Sequence, residues 1–366
     1  MFRIYITVLV WLSLIPGVSA QANKQKNAVK THPVETGNVV SDRLNSTILR
    51  ENLVGLKTTR NVMVYLPPGY STSGRSYPVV YYCHSIYGNP EIILSDSSEV
   101  PELLEHAFSS GQKKEFIFVA ADYSSENIGS LYENSTTSGR WLDFTTQELV
   151  PFIDNKYRTI RNRNSRAVTG DFIGGRGAIK LGMSHADVFG VVYGLHPVAL
   201  GVGTRPWTDL GVNWDKIFNA KNFAGLGGDR YCEMWVAICQ AFLPNSSRPP
   251  FYCDYFMKKE GNKLVVDQEN LIKIQHQFHL DETLNETYKN LLSLRGFAFD
   301  WARYDGNYDH VYAARAFTRK LDDFGVEHEA EEYRGTPWNK TWGEAGRFNT
   351  RVLPFLFRHL VFDSNN

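Results

Sequence analysis

Apolar positions along this chain alternate between two periods. Short continuous apolar runs, "YPVVYYCHS" (77–85) and "EFIFVAAD" (115–122), predict strands buried on both faces, as in a parallel sheet. "RNVMVYLPPGY" (60–70) is a further β-rich run, stopped by Pro67-Pro68-Gly69. Elsewhere the spacing is helical. "DFTTQELVPFIDNKY" (143–157) puts Leu149, Phe152 and Ile153 on one face, with Asp143 as the N-cap. "RAVTG" (166–170) predicts a strand, and "GGRGAIKLGMSHADVF" (174–189) the helix after it, whose small residues allow close packing on a sheet. "GVVYGLHP" (190–197), "GFAFDWARYD" (296–305) and "HEAEEYRG" (328–335) predict later strands. "DHVYAARAFTRKLDDFG" (309–325) predicts an amphipathic helix ending at Gly325 as its C′ residue. "GRFNTRVLPFLFRHL" (346–360) predicts a last helix, weakened or kinked by Pro354. Alternating strands and helices predict the α/β class: a central, mostly parallel sheet flanked by helices on both faces.

Residues 198–295 interrupt this rhythm with three cysteines, "NSSRPP" and many aromatic residues. They are expected to be a lid-like insertion over the C-terminal edge of the sheet, where pockets lie in such folds. Residues 1–20 have the pattern of a signal peptide: Arg3, an apolar stretch, then the small residues Val18-Ser19-Ala20 before a cleavage point. The alternative, a membrane anchor, is disfavoured because Ser13 and Pro16 break a run already short for a span. No second apolar segment is long enough to cross a bilayer. The expectation is a secreted or periplasmic protein with a polar leader at 21–40 and one domain over 41–366.

Charge narrows the partners. Thirty-nine Lys and Arg balance 39 Asp and Glu, and without a basic surplus nucleic acid is not an expected partner. In an oxidising compartment Cys232, Cys239 and Cys253 could supply one disulfide, their pairing open, while Cys83 reads as a buried free thiol. Asn-x-Ser/Thr sequons start at Asn45, Asn134, Asn245, Asn285 and Asn339; they carry meaning only in a eukaryotic host. Oligomeric state is not legible.

The stretch "TGDFIGGRGA" (169–178) carries the candidate chemistry. A strand, a Gly-x-nucleophile-x-Gly turn and a helix make the sharp bend that presents a nucleophile in α/β-hydrolases. Gly170 and Gly174 are the two glycines, and their spacing puts Phe172 at the tip. Phe172 has no nucleophilic atom. Asp171 is one residue early, so its side chain is expected to point away from a pocket.

The chain resembles the "putative esterase" family of α/β-hydrolases, with its esterase D-like and feruloyl-esterase-like members. The resemblance rests on "NVMVYLPPGY", "YPVVYYCHSIYGN", "ELVPFIDNKYRT", "AVTGDFIGGRGAIKLGMSHADVFGVVYGLHP" and "EEYRG…VLPFLFRHL", in order across about residues 46–360. It implies the α/β-hydrolase fold, no cofactor, and a serine–acid–histidine triad. The family's serine maps onto Phe172. Its acid maps onto Asp305, with Asp309 second. Its histidine maps onto Pro337, or with a one-residue slip onto Thr336, and no histidine lies between His328 and His359. His196 and His310 are expected to be structural. One oxyanion donor would be the Ile173 backbone N–H; the other would come from the His84-Ser85 loop, where Ser85 replaces a glycine.

Other signals are weaker. His276 and His279 form an H-x-x-H without an evident third ligand, and no metal is expected. "GVGTRPWTDLG" lacks the strand and helix of a phosphate loop, so no nucleotide site is expected. Trp141, Trp338 and Trp342 cluster around pocket-forming loops and could stack on a sugar or an aromatic acid, or equally be ordinary core. The leading expectation is a pseudoenzyme that binds a small-molecule or glycan-like ligand, or a partner, at the former active-site cleft. The alternatives are a working carboxylic-ester hydrolase with a displaced nucleophile, and a structural protein without a pocket function.

Overall fold

The computed structural model of the chain describes residues 36–95, 97–109, 114–339 and 341–363. The leader pattern at 1–20, and the polar stretch after it as far as residue 35, lie outside the described residues.

Eight strands make the central sheet: β1 (Asn38–Asn45), β2 (Thr59–Leu66), β3 (Val79–Cys83), β4 (Ile117–Ala121), β5 (Arg166–Asp171), β6 (Val191–Leu195), β7 (Gly296–Ala302) and β8 (Glu329–Tyr333). Their spatial order is β1-β2-β4-β3-β5-β6-β7-β8. β2 pairs antiparallel with β1 and β4, and every pairing from β4 to β8 is parallel. The winding direction reverses between β3 and β5, which makes the crevice at their C-terminal ends the expected ligand position of an open α/β sheet.

Strand alternation divides the core. Tyr81, Cys83, Val119, Val168 and Val192 face one side with the helices α2 (Val150–Lys156), α3 (Ile173–Ser184) and α7 (Tyr308–Asp323). Tyr82, Phe118, Ala167 and Tyr193 face the other, against α1 (Val100–Phe108) and α8 (Leu353–His359). Between β6 and β7 the chain forms α4 (Arg230–Phe242), a hairpin (Met257–Glu260 with Lys263–Val266), α5 (Gln268–Phe278) and α6 (Leu284–Leu292).

Several elements differ from the sequence expectation. β1 begins at Asn38, inside the segment read as leader. Asp143 is no N-cap: it lies inside the helix, where its carboxylate accepts from Asn134 Nδ2 (2.9 Å) and pairs with Arg140. That helix widens into π-turns over Phe144–Leu149 just before Pro151, and the last helix does the same over Phe348–Val352 just before Pro354. A wider turn removes the need for the proline's missing N–H and relieves its clash with the preceding carbonyl. All four cysteines are buried free thiols, so the disulfide allowed among Cys232, Cys239 and Cys253 is not formed; burial pushes the Cys253 thiol up to about 12. Gly325 takes the left-handed conformation (φ 69°) past the end of α7. Among the described residues no helix is long and apolar enough to cross a membrane.

Candidate active site

The bend after β5 keeps the backbone of a nucleophile turn. Phe172 has φ 55° and ψ −113°, a strained combination for a residue with a side chain. Its N–H donates to the Leu195 carbonyl (3.0 Å), and its carbonyl accepts from Arg176 N–H (3.0 Å). The flanking glycines follow from sterics alone. A Cβ on Gly170 would lie 2.3 Å from the Cys83 carbonyl oxygen, and one on Gly174 only 1.9 Å from it. The bend therefore requires Gly-x-x-x-Gly whatever its tip residue does.

At the tip stands the phenyl ring. It stacks on the His196 ring at 6.2 Å between centroids (9° between planes), meets His310 edge-on at 5.6 Å, and lies 4.9 Å from the indole of Trp338. Asp171 does not reach this space. Its carboxylate accepts from Tyr82 Oη (2.7 Å) on the opposite side of the sheet, and burial raises its pKa to about 6.

Beside Phe172 two imidazoles and one backbone amide converge on one carboxylate. Asp305 Oδ2 is 2.8 Å from His196 Nε2 and 2.7 Å from His310 Nδ1, while Oδ1 accepts from Asn307 N–H (2.8 Å). Burial opposes ionisation of Asp305, but the hydrogen bonds from His196, His310 and the Asn307 amide outweigh it and hold the carboxyl well below its usual range. Backbone and amide partners fix both imidazole tautomers. Ala302 N–H donates to His196 Nδ1 (2.8 Å), so the ring proton is on Nε2. The Asn307 amide is oriented by Asp309 N–H donating to Oδ1 (3.3 Å), so Nδ2 donates to His310 Nε2 (2.9 Å) and the proton of His310 is on Nδ1. His196, Asp305 and His310 lie close enough to suggest a metal site. Both rings, however, turn an N–H toward the shared oxygen and leave no lone pair there, so the donor set does not fit a cation. His196 N–H in turn donates to Asp300 (3.1 Å), a fully buried acid that also accepts from Tyr193 Oη and Arg347 Nε.

Of these groups Phe172, Asn307 and His310 border a cleft of about 430 Å³ roofed by the segment between β6 and β7, with Asp305 and His196 behind them. Phe172 and Ile173 face it from the bend, Trp207, Trp235, Ile238 and Phe278 from the roof, and Arg205 and Asp309 add charge. Ile173 opens α3, where the first amides have no intrahelical acceptor.

The remaining sequence candidates disperse. His84 is buried behind the wall: Nε2 accepts from Tyr123 N–H (3.0 Å), and Nδ1 donates to the Ser85 carbonyl (2.9 Å). Ser85 Oγ is buried without a partner. A tight turn, closed by Gly88 N–H to the Ser85 carbonyl (3.0 Å), folds both inward and sends Ile86 to the cleft instead. Neither Pro337 nor Thr336 borders the cleft, and neither does Trp338 from the same loop, which meets Phe172 but is 64% exposed. Trp141 packs in the core on Tyr123 and Phe144, and Trp342 on Tyr82 and Phe348 across the sheet. His276 is exposed, while His279 is buried in the roof, where burial lowers its pKa to about 4. Sequence reasoning treated His196 and His310 as structural and passed over Asp300 and Asn307. A lone acid inside the apolar run "GFAFDWA" was a usable signal, because a buried carboxylate requires a partner.

Comparison with known proteins agrees with the architecture. A family model described as "Putative esterase" matches residues 54–236, half of the chain. Endo-1,4-beta-xylanase Y of Acetivibrio thermocellus is 28% identical over 112 residues, covering 31% of this chain and 10% of that protein. An esterase of Mycobacterium tuberculosis is 32% identical over 123 residues, covering 32% of this chain and 25% of that protein. The match thus spans a quarter or less of these two curated relatives. Among solved structures, a ferulic acid esterase superposes with a TM-score of 0.58 at 18% identity, covering 89% of this chain and 99% of the other. An S-formylglutathione hydrolase from Agrobacterium tumefaciens gives 0.55 at 12% identity, covering 90% and 98%. At those identities the likeness concerns the fold. From strand order, bend and family match together, the chain belongs to the putative esterase family of the α/β-hydrolase superfamily.

Proposed function

We propose that this chain is a catalytically inactive member of its family that holds a small, mostly apolar ligand in the cleft above the bend. The observation that carries this reading is the Phe172 ring, packed against His196, His310 and Trp338 where a nucleophilic hydroxyl would be presented. Acyl transfer needs an oxygen or sulfur at that tip, a base within reach of its proton and space for the carbonyl. The phenyl ring removes the first and fills the third. The aromatic roof suits a ligand with flat apolar surface, an aromatic acid or a glycan-like ring among them, and Arg205 favours an anionic end. Export out of the cytoplasm belongs to the same proposal, on the strength of the leader pattern at 1–20.

A working esterase with a displaced nucleophile is the competing reading. Its candidates are Asp171 and Ser85, and their surroundings, on Tyr82 and in a buried turn, favour the inactive reading. Turnover of p-nitrophenyl acetate by purified protein separates the two. The proposal expects no hydrolysis beyond buffer; sustained turnover that vanishes on Asp171→Ala or Ser85→Ala, with the fold intact, contradicts it.

A further inference from the structure

We propose that Asp305 and His310 form a competent acid–imidazole pair, with the imidazole delivered by the first turn of α7 instead of the loop after β8, so that a hydroxyl or thiol at position 172 would be activated. This rests on the reading that Phe172 alone withholds the nucleophile. The family order places the base after β8, where this chain has Pro337. His310 lies only five residues beyond Asp305, and α7 turns its ring back onto both the acid and the bend.

Three observations carry the assignment. His310 Nδ1 donates to Asp305 at 2.7 Å, the contact that orients a triad imidazole and stabilises its protonated form. The fixed tautomer leaves Nε2 as an acceptor whose one hydrogen-bond partner among the described residues is the side-chain amide of Asn307, which an incoming hydroxyl would displace. The His310 ring meets the Phe172 ring edge-on at 5.6 Å, so it already touches the residue that would have to be activated. His196 cannot take this role, because both its nitrogens are held by fixed partners, Ala302 N–H and Asp305. The other charged groups bordering this space are Arg205 and Asp309, while Asp171 lies across the sheet on Tyr82.

With Phe172→Ser the chemistry balances as acyl transfer from a carboxylic ester. The serine Oγ bonds to the acyl carbon as its proton passes to His310 Nε2. The carbonyl π pair moves onto oxygen, beside the Ile173 amide. Collapse breaks the ester C–O bond, and the departing alkoxide takes the proton from Nε2. Water then repeats the sequence on the acyl-serine and regenerates the hydroxyl.

Two matched pairs test the assignment. F172C is compared with F172C/H310Q for alkylation by iodoacetamide at neutral pH, with wild type, whose four cysteines are buried, as the blank. A thiol beside an imidazole is more nucleophilic at that pH, so removing His310 is expected to slow alkylation at least tenfold. F172S is compared with F172S/H310Q on p-nitrophenyl acetate. F172S is expected to exceed wild type by ~100-fold, within the range of general acid–base catalysis; H310Q should return it to the wild-type level, and adding P337H should change it less than threefold. Circular dichroism and thermal melting establish that each variant is folded. Equal rates within either pair, or an F172S activity that survives H310Q, overturn the proposal. The alkylation pair involves no turnover, so its result stands apart from whether wild-type protein hydrolyses esters.

Discussion

Phe172 sits on a nucleophile-type bend without a nucleophilic atom at its tip. The left-handed φ of 55°, the contact of β3 with α3 and the bonds to Leu195 and Arg176 all belong to backbone. They do not depend on the tip side chain, so the turn keeps its shape whether or not a hydroxyl stands there. Its glycines do not tolerate change in the same way. Gly174→Ala puts a methyl 1.9 Å from a carbonyl oxygen of β3, which must move. The expected cost is on the order of 3 kcal/mol in urea unfolding, the upper end for overpacking; a loss below about 1 kcal/mol would mean the bend is looser than described. At this scale the sequence was informative where spacing determines geometry and silent where chain-distant groups meet. Gly170, Phe172 and Gly174 were readable because strand, turn and helix are contiguous. The meeting of His196 with Asp305 joins residues 109 apart and leaves no periodic trace. His310 was within reach, five residues past its acid, but the family order directed attention to Pro337.

Elements were legible where burial is one-sided or complete. The apolar runs that became β3, β4 and β6 are buried throughout. β1 escaped because one of its buried positions is Asp42, held by Lys156 and Tyr157, so its alternation shows no apolar face. Pro354 was read as a kink and Pro151 was passed over; the chain instead inserts π-turns ahead of both and continues. Attachment of the roof to the sheet also rests on a residue with no sequence signature. Arg176 on α3 is fully buried, and its guanidinium donates to the carbonyls of Leu131 (3.1 Å) and Phe278 (2.9 Å) and to Glu133 (2.9 Å). It ties the end of α5 to the helix that follows the bend. Arg176→Met keeps the volume but leaves those carbonyls without their partner and Glu133 with Lys180 alone (3.5 Å), at a cost of about 3 kcal/mol. Amide exchange should accelerate first at residues 275–280, before the strands respond. Unchanged exchange there would show that the roof is anchored elsewhere.

Over the whole molecule, stability should depend on pH in two opposing ways. Glu331 is held near 2 by its hydrogen bonds to Arg347 and Arg351, and Glu332 near 2 chiefly by Arg315; Asp305 is depressed by its imidazole partners despite burial. Folded values below unfolded ones mean stabilisation that is complete above the unfolded range, near 4.5 for glutamate, and lost as pH falls toward the folded values. Asp171 runs the other way. Burial raises it from 3.8 to about 6, so the native state binds its proton more tightly and loses relative stability as pH rises across that interval. Burial lowers His279 from 6.5 to about 4, so this ring adds stability as pH rises over nearly the same interval and offsets Asp171; the melting temperature should fall steeply below about 4 and change little between about 4.5 and 6. E331Q/E332Q should flatten the acid side, and Asp171→Asn should leave a melting temperature that climbs between about pH 4.5 and 6; calorimetry that finds the wild-type curve in both variants would refute the assignment.

The fold, the bend and the acid with its two imidazoles make an esterase frame around a phenyl ring. The measurement that tests this account most directly is the steady-state rate of p-nitrophenyl acetate hydrolysis by the folded wild-type protein. The account predicts a rate equal to that of the same protein after heat denaturation. A saturable rate that is abolished by unfolding and by substitution of a single cleft residue would contradict it.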